Sequence, residues 1–296
     1  MARERPTKAP KRKKPRGQNA SKTLSSRDQI KKKRTRKTSN PNFIPLGKNQ
    51  TLAAEEKNRR KDEKMTEDGG ESDALLSTSP AAEQLRFFLH CYQTGTKTKL
   101  SPLELDVYSD SCMVELTEGV DQNVDYFSDH VKAAFGTSWK EVLCEGKLSE
   151  GVVNAGSPAL LVISTSALRT LELLRGLKPF TRECRPVKLF AKHMKVEEQA
   201  TLLKGRVNIA CGTPSRIKKL IDMEALSLSC LQVVVLDMQK DAKAFSLFTL
   251  PQVRTEFWDL YKSHLEQKVL QGDSRICFYG AVSKKEIKKA LQPVEH

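Results

Sequence analysis

The stretch that decides the fold reads VNIACGTPSR over residues 207–216, and a second stretch, VVVLD, follows at residues 233–237. Both begin as short, continuous apolar runs, which are typical of strands covered on both faces. The first run ends in Gly212-Thr213-Pro214, where the threonine is suited to cap a helix and the proline to begin one. The second ends in the carboxylate of Asp237. Strand, phosphate-binding turn, helix and strand, in this order, are typical of proteins that hold nucleic acid with one motif and the metal of a nucleotide with the next.

Apolar runs alternate with amphipathic stretches on both sides of this pair. The pattern predicts strands at residues 159–163, 187–190, 207–211, 231–236 and 275–279, and helices at residues 166–177, 195–203, 214–222, 251–270 and 283–291. Five strands alternating with helices predict an α/β fold with a doubly wound, mostly parallel sheet. Ligands of such folds bind beyond the carboxyl ends of the strands.

The region before the first predicted strand is less regular. A helix is predicted at residues 81–89, with Ser79 as its N-cap and Pro80 as its first residue. Residues 123–135 also have helical spacing, whereas residues 95–150 as a whole either extend the sheet or form a separate cap. We therefore divide the chain into a tail, residues 1–79, and one folded domain, residues 80–296.

Charge is distributed very unevenly along the 296 residues, whose net charge is +15. Residues 1–65 contain 22 Lys and Arg against 6 Asp and Glu, while the rest contains 29 against 30. The basic segment has a single aromatic residue, Phe43, so it is too polar to offset the entropy of ordering and is expected to be disordered.

Two dense basic runs favour a polyanionic partner, because each phosphate that Lys or Arg neutralises releases counterions. Such runs also serve as nuclear-import signals read by an import receptor, and an anionic membrane fits less well because no amphipathic helix accompanies them. The alternative is a solvating tail without a partner. The candidate RNA-binding residues are Lys11, Arg12, Lys13, Lys14 and Arg16 in the first run, and Lys31, Lys32, Lys33, Arg34, Arg36 and Lys37 in the second.

The seven cysteines show no C-x-x-C spacing, and none lies with histidines at the spacing of a zinc site. Without a secretory signal or an apolar run of membrane-spanning length, we expect reduced cysteines in the core of an intracellular protein. No metal site and no cofactor are predicted.

Two strand ends offer groups that bind phosphate. At the first, Thr165 and Arg169 follow the strand at residues 159–163; at the second, Gly212, Thr213 and Arg216 follow the strand at residues 207–211. Helix N-termini attract anions through their free N–H groups. Each motif alone is also explained as an ordinary capped helix, and their occurrence in matching context favours RNA contact.

Together these motifs resemble the first RecA-like domain of DEAD-box RNA helicases. Residues 159–169 are similar to a motif that grips the RNA backbone in that family, and Gly212-Thr213-Pro214-Ser215-Arg216 to its Thr-Pro-Gly-Arg motif. Residues 233–241 stand where the Asp-Glu-Ala-Asp motif belongs, and residues 277–281 where Ser-Ala-Thr follows the next strand. The resemblance implies a P-loop NTPase-like domain.

The sequence differs from the DEAD-box pattern at the positions that bind and hydrolyse ATP. Met238 replaces the glutamate that would activate the hydrolytic water, and the phosphate loop G-x-x-x-x-G-K-[ST] is absent from the sequence. Residues 94–98, TGTKT, imitate that loop without its second glycine. The expectation is a single RecA-like lobe without ATP chemistry.

A one-lobed relative of this kind with a basic N-terminal tail resembles the Cms family of ribosomal small-subunit biogenesis proteins, and residues 188–196 and their distance to Gly212 strengthen the resemblance. It implies a nucleolar protein, without enzymatic activity, that binds pre-ribosomal RNA or proteins of the small-subunit processome. Two other functions remain open: an RNA-stimulated ATPase with an atypical site built on Asp237 and Lys97, and a protein-interaction scaffold whose tail serves only for nuclear import.

Overall fold

The computed structural model describes residues 73–144, 155–182, 185–192 and 194–292. The chain divides into two units, Met1–Lys64 and Met65–His296, and all described residues belong to the second. The predictions for the basic tail therefore lie outside the described residues.

The described residues alternate between strands and helices from Leu160 onward. The strands are β1 Asp73–Ala74, β2 Leu160–Ile163, β3 Val187–Leu189, β4 Ile209–Gly212, β5 Val233–Asp237, β6 Arg275–Tyr279 and β7 Val282–Ser283. The helices are α1 Ala81–Thr96, α2 Pro102–Asp106, α3 Phe127–Phe135, α4 Ala167–Gly176, α5 Val196–Leu203, α6 Pro214–Asp222, α7 Pro251–Leu260, α8 Glu266–Leu270 and α9 Lys284–Leu291.

The main sheet has five parallel strands in the order β3-β4-β2-β5-β6. The register pairs Ile163 with both Gly212 and Leu236, so the strand ends lie level with one another. The predicted α/β fold with a doubly wound parallel sheet is confirmed. A separate two-stranded antiparallel pair joins β1 to β7.

Both faces of the sheet are covered, which explains why its strands are apolar throughout rather than alternating. Leu161 and Ile163 of β2 belong to one apolar core, and Leu160 and Val162 to the other. Aromatic rings pack α1 against α7 and the residue that follows α7 in the first core, where the Phe88 centroid lies 5.4 Å from that of Trp258 and 5.0 Å from that of Tyr261.

The bounds of most predicted elements lie within a few residues of the observed ones. Helix α1 begins at Ala81, with Pro80 rather than Ser79 in the N-cap position, so the predicted start was one residue early. The long helix predicted at residues 251–270 is present as α7 and α8, joined by a π-helical segment, Tyr261–Leu265.

Of residues 95–150, the described part, 95–144, extends the sheet at its β6 edge and also covers one face. Met113 forms a parallel bridge with Ile276, and the Val114 N–H donates to the Ile276 carbonyl at 2.8 Å. Helix α3 then packs Phe127 and Val131 into the second core. The segment therefore belongs to the same layers as the sheet and is not a separate cap.

Candidate RNA-contact face at the strand ends

The two predicted phosphate motifs lie side by side. The Ser164 N–H, just after β2, donates to the Gly212 carbonyl at the end of β4 at 3.0 Å. The Thr213 N–H donates in turn to the Leu189 carbonyl at the end of β3 at 2.9 Å. Adjacent parallel strands thus bring the starts of α4 and α6 to the same place, at the carboxyl ends of the strands. We call Thr165, Ser166, Thr213 and Ser215 the strand-end face.

Helix α6 begins as the sequence predicted, with Thr213 as N-cap and Pro214 as first residue, but the Thr213 hydroxyl makes no capping hydrogen bond. The first intrahelical bond runs from the Ile217 N–H to the Thr213 carbonyl at 3.1 Å. The N–H groups of Ser215 and Arg216 therefore have no partner within the helix, which leaves the positive end of its dipole available to an anion.

Gly212 is needed for the close approach of β3 and β4. A Cβ atom at this position would lie 2.1 Å from the Leu189 carbonyl oxygen. The glycine of the motif therefore has a packing role between two strands, whether or not the motif also contacts phosphate.

The start of α4 is arranged differently from that of α6. The Ser166 hydroxyl accepts a hydrogen bond from the Arg169 N–H at 3.2 Å and so caps its own helix. Thr165 is half-buried just before the cap, and Ser166 is exposed.

The Arg169 guanidinium is engaged by Asp237. Nε donates to Oδ2 at 3.0 Å and to Oδ1 at 3.2 Å, and Nη2 donates to Oδ1 at 2.9 Å. Asp237 has no exposed surface, and the arginine side chain is 13% exposed. Burial raises the pKa of the Asp237 carboxyl, and the Arg169 guanidinium opposes that rise. With three charge-assisted contacts to an arginine, we treat the carboxyl as ionised at neutral pH.

Arg216 also has internal partners. Its Nη1 donates to the Gln199 Oε1 at 2.8 Å and to the Met194 carbonyl at 3.2 Å. Gln199 is itself buried in α5 and donates to the carbonyls of Lys188 and Phe190, at 2.7 Å and 3.0 Å. Arg216 and Gln199 together therefore hold the connection between β3 and α5 against α6.

The segment TGTKT at residues 94–98 does not form a phosphate loop. Thr94, Gly95 and Thr96 belong to the last turn of α1, and Lys97 ends the helix in a left-handed conformation with φ 59°. A Cβ atom on Gly95 would lie 2.1 Å from the Trp258 Nε1, so this glycine permits α1 and α7 to pack closely.

The connection beyond Met113 meets the end of β6. The Gln122 Oε1 accepts a hydrogen bond from the Gly280 N–H at 2.7 Å, and the Tyr279 hydroxyl donates to the Asn123 carbonyl at 2.6 Å. Glu118, Asp121 and Asp125 give this connection negative charge, which is unfavourable for phosphate groups.

The structure thus brings Thr165, Gly212 and Thr213 together at the carboxyl ends of β2 and β4. Arg169 and Arg216 make hydrogen bonds with other groups of the protein. RNA contact by these five residues, and by the basic tail, stays a prediction. The pairing of Arg169 with Asp237 was not predicted from the sequence, although an arginine one turn beyond a buried strand and a carboxylate at the end of another are a signal for it. The bridging role of Gln199 was not predicted either.

Among the described cysteines, Cys91, Cys112, Cys211 and Cys277 are free thiols. In the part of the chain that the structure describes, no three His, Cys, Asp or Glu side chains are grouped to hold a metal ion. Within the same residues, every helix is too short or too polar to cross a bilayer.

Comparison with solved structures finds a DEAD box protein from the hyperthermophile Methanococcus jannaschii, with a TM-score of 0.34 and 16% identity over 66% of this chain and 51% of that one. The fold assignment rests on the strand order and register given above.

Comparison with known sequences finds relatives in several eukaryotes. Protein CMSS1 of Xenopus laevis is 29% identical over 257 residues, which cover 84% of this chain and 91% of the relative. Protein CMSS1 of Danio rerio is 31% identical over 211 residues, 69% of this chain and 68% of the relative. Protein CMS1 of Chaetomium thermophilum is 44% identical over 93 residues, 31% of this chain and 37% of the relative.

Residues 11–279 match the family CMS1, described as U3-containing 90S pre-ribosomal complex subunit. Since the match spans most of the chain, it confirms the family predicted from the single RecA-like lobe, the basic tail and residues 188–196. The protein belongs to the CMS1 family.

Proposed function

We propose that the protein is a non-enzymatic, RNA-associated factor in the biogenesis of the ribosomal small subunit. Membership of a family described as a subunit of the 90S pre-ribosomal complex supports an association with that particle. The basic runs of residues 1–65 support contact with its RNA. Its partners are pre-ribosomal RNA and processome proteins. A nuclear import receptor reads the tail, and the protein resides in the nucleus and nucleolus.

The pairing of Arg169 with Asp237 is the main support for the proposal that the protein has no enzymatic activity. Metal-assisted phosphoryl transfer needs a carboxylate available to the metal and a group that positions the nucleophile. Here both Asp237 oxygens accept hydrogen bonds from one guanidinium, and the next residue, Met238, is apolar and buried. These residues do not fit a nucleotide-bound metal.

RNA contact in this proposal is divided between two parts of the chain. The tail supplies affinity through phosphate neutralisation, without sequence preference. The strand-end face supplies hydroxyls and free N–H groups at the start of α6, which position a phosphate rather than read a base. Because Arg169 and Arg216 already have protein partners, the face depends on the helix dipole more than on charged side chains.

Two measurements test the proposal. Purified full-length protein is assayed for RNA-stimulated ATP hydrolysis beside an Asp237→Ala variant prepared identically, and we expect equal, background rates. Ultraviolet cross-linking in cells is expected to recover pre-ribosomal RNA. Hydrolysis that exceeds the variant's rate would establish an ATPase, and cross-links confined to other RNAs would refute the assigned particle.

A second candidate function, a protein-interaction scaffold, is favoured by the near balance of charge in residues 66–296. In that case the tail serves only for import. Exchanging residues 1–65 for a generic import signal separates the two: the scaffold predicts retained assembly into pre-ribosomal particles, whereas our proposal predicts loss of RNA cross-links and weaker particle association.

A further inference from the structure

A cavity of about 160 Å³ lies on the α1 side of the sheet, and no residue of the strand-end face lines it. It is enclosed by α1, α9 and the segment that leads into α7, and Met238, the residue after β5, forms part of its wall. It therefore adjoins the carboxyl end of a central strand, where folds of this class bind ligands.

Arg254, one of the residues that line this cavity, has a side-chain nitrogen without a partner among the described residues. The Nε of Arg254, which projects from the first turn of α7, is shielded from solvent and makes no hydrogen bond with the residues that the structure describes. A buried donor of this kind is unfavourable unless an acceptor meets it. Ser246 and Thr249, two residues with hydroxyls, line the same wall.

The remaining polar groups favour an anion. Lys289 adds a second positive charge, and Glu286 is the one carboxylate among the lining residues. Burial, and then the charge of Lys289, lower the pKa of His90, so at neutral pH its imidazole is a hydrogen-bonding group without charge. Helix α7 begins at Pro251, and its N-terminal dipole has the same sign as the two cations.

The rest of the cavity wall is apolar. Phe87, Phe248 and Met238 line it, and the Phe87 and Phe248 ring centroids are 6.3 Å apart. A bare inorganic anion would leave this surface in contact with water, whereas a ligand with a flat or branched hydrocarbon part would cover it.

We propose that this cavity binds a phosphate or carboxylate group attached to an apolar body, with the Arg254 guanidinium as the main partner of the anion. The apolar body lies against the two phenylalanines and Met238. The anion belongs either to a free small molecule or to a side chain or C-terminus that a protein partner presents. The site is separate from the proposed RNA contact, and either can fail without the other.

Methyl NMR of full-length protein labelled at methionine tests the site, with phenyl phosphate and benzoate as probes. We expect a saturable shift of the Met238 methyl signal at millimolar concentrations of at least one anion. Met223, which is 45% exposed and not among the lining residues, serves as the internal control. Phenol and benzamide are the uncharged counterparts and should bind more weakly.

Two substitutions test which positively charged side chains contact the anion. Arg254→Gln should weaken binding about tenfold, because a charge-assisted hydrogen bond is removed. Lys289→Gln on the exposed side of α9 should weaken it about threefold without endangering the fold. The matched controls are Arg86→Gln on exposed α1 surface and Lys288→Gln, which neighbours Lys289 but does not line this cavity; both should bind normally.

Two short peptides distinguish the source of the anion: one, capped at both ends, carries phosphotyrosine, and the other, capped only at its N-terminus, ends in phenylalanine with a free carboxylate. Tighter binding of a peptide identifies a protein-borne group, and tighter binding of the free compound identifies a small molecule; either result supports the site. The proposal is overturned if Met238 does not shift with either anion, if the uncharged compounds bind equally well, or if Lys288→Gln weakens binding as much as Lys289→Gln.

Discussion

The Asp237 carboxylate ends a central strand with no exposed surface, and one guanidinium satisfies both of its oxygens. Removing charges from water is costly, so a buried pair contributes little net stability compared with apolar residues of the same volume. Removing one partner is a different change, because it leaves the other charge largely buried without its main partner. The pair therefore matters mainly for keeping the end of β5 and the start of α4 in one arrangement.

Asp237→Asn should lower the free energy of unfolding by roughly 3 kcal/mol, the low end for breaking a buried pair, since Arg169 keeps, among the described residues, only the half-exposed Glu172 carboxylate, at 3.2 Å, as a charged partner. Urea unfolding of the full-length protein, followed by circular dichroism, measures the decrease. The matched control is Asp129→Asn, whose partner Lys132 lies at 2.8 Å in an ion pair open to solvent, with the aspartate and lysine side chains 56% and 34% exposed; it should cost about 1 kcal/mol or less. Equal effects of the two substitutions would contradict the structural role of the buried pair.

At the scale of elements, the start of α6 is where RNA contact is best tested. Arg216→Glu would be ambiguous, because it would also break the hydrogen bonds of Arg216 with Gln199 and Met194. Ser215, the second residue of the helix, is exposed and has no such role.

Ser215→Glu should therefore keep the fold, since a carboxylate in the first turn of a helix is stabilising, but repel phosphate. With Ser215→Gln as the uncharged control, we expect RNA affinity to fall about threefold to tenfold for the glutamate alone. Fluorescence anisotropy with single-stranded RNA provides the measurement. Indistinguishable affinities would show that the strand-end face does not meet RNA.

Two glycines set how closely neighbouring elements approach. Gly95→Ala would gain helix propensity of about 1 kcal/mol, but its Cβ would lie 2.1 Å from the Trp258 ring. Gly212→Ala would place a Cβ against the Leu189 carbonyl.

We expect either alanine substitution to lower the unfolding free energy by about 1–3 kcal/mol, because the crowded atoms must move apart. Gly205→Ala is the control: this exposed glycine has its nearest neighbour, the Leu202 carbonyl oxygen, at 3.6 Å, so its effect should be within about 0.5 kcal/mol. If Gly95→Ala left the free energy of unfolding unchanged in thermal or urea unfolding, this would show that α1 and α7 can move apart without loss of stability.

Strands and helices after residue 157 could be predicted because their signals are local. Continuous apolar runs mark strands buried on both faces, and Thr213-Pro214 marks a helix start. The sequence could not decide whether residues 95–150 extend the sheet, because Met113 joins it through a bridge to Ile276, which is far away in the chain. The partners of Arg169 and Arg216 were likewise beyond prediction, since each depends on how separate elements pack.

At the scale of the whole molecule, the chain combines a nearly neutral domain with a strongly basic tail. Binding by such a tail falls steeply with salt, because every neutralised phosphate releases counterions. The domain's own contribution should be less sensitive, as it relies on a helix N-terminus and hydroxyls.

Deleting residues 1–40 should weaken binding to single-stranded RNA and flatten the dependence of log affinity on log salt, by about 0.7 for each phosphate that the tail no longer neutralises. Anisotropy titrations over a range of potassium chloride concentrations measure both quantities. A full-length variant with glutamine at all basic positions of the two runs separates charge from chain length and should behave like the deletion. An unchanged slope in that variant would remove the tail from RNA binding.

One edge of the main sheet is already covered, since Met113 and Val114 lie along β6. At the opposite edge, β3 has three residues, and Lys188 between its buried neighbours is exposed. Short, lysine-bearing edges resist strand addition by another chain. Partners in a large ribonucleoprotein particle would therefore engage this protein through side chains and helix ends, and it could join and leave the particle without exchanging any backbone pairing.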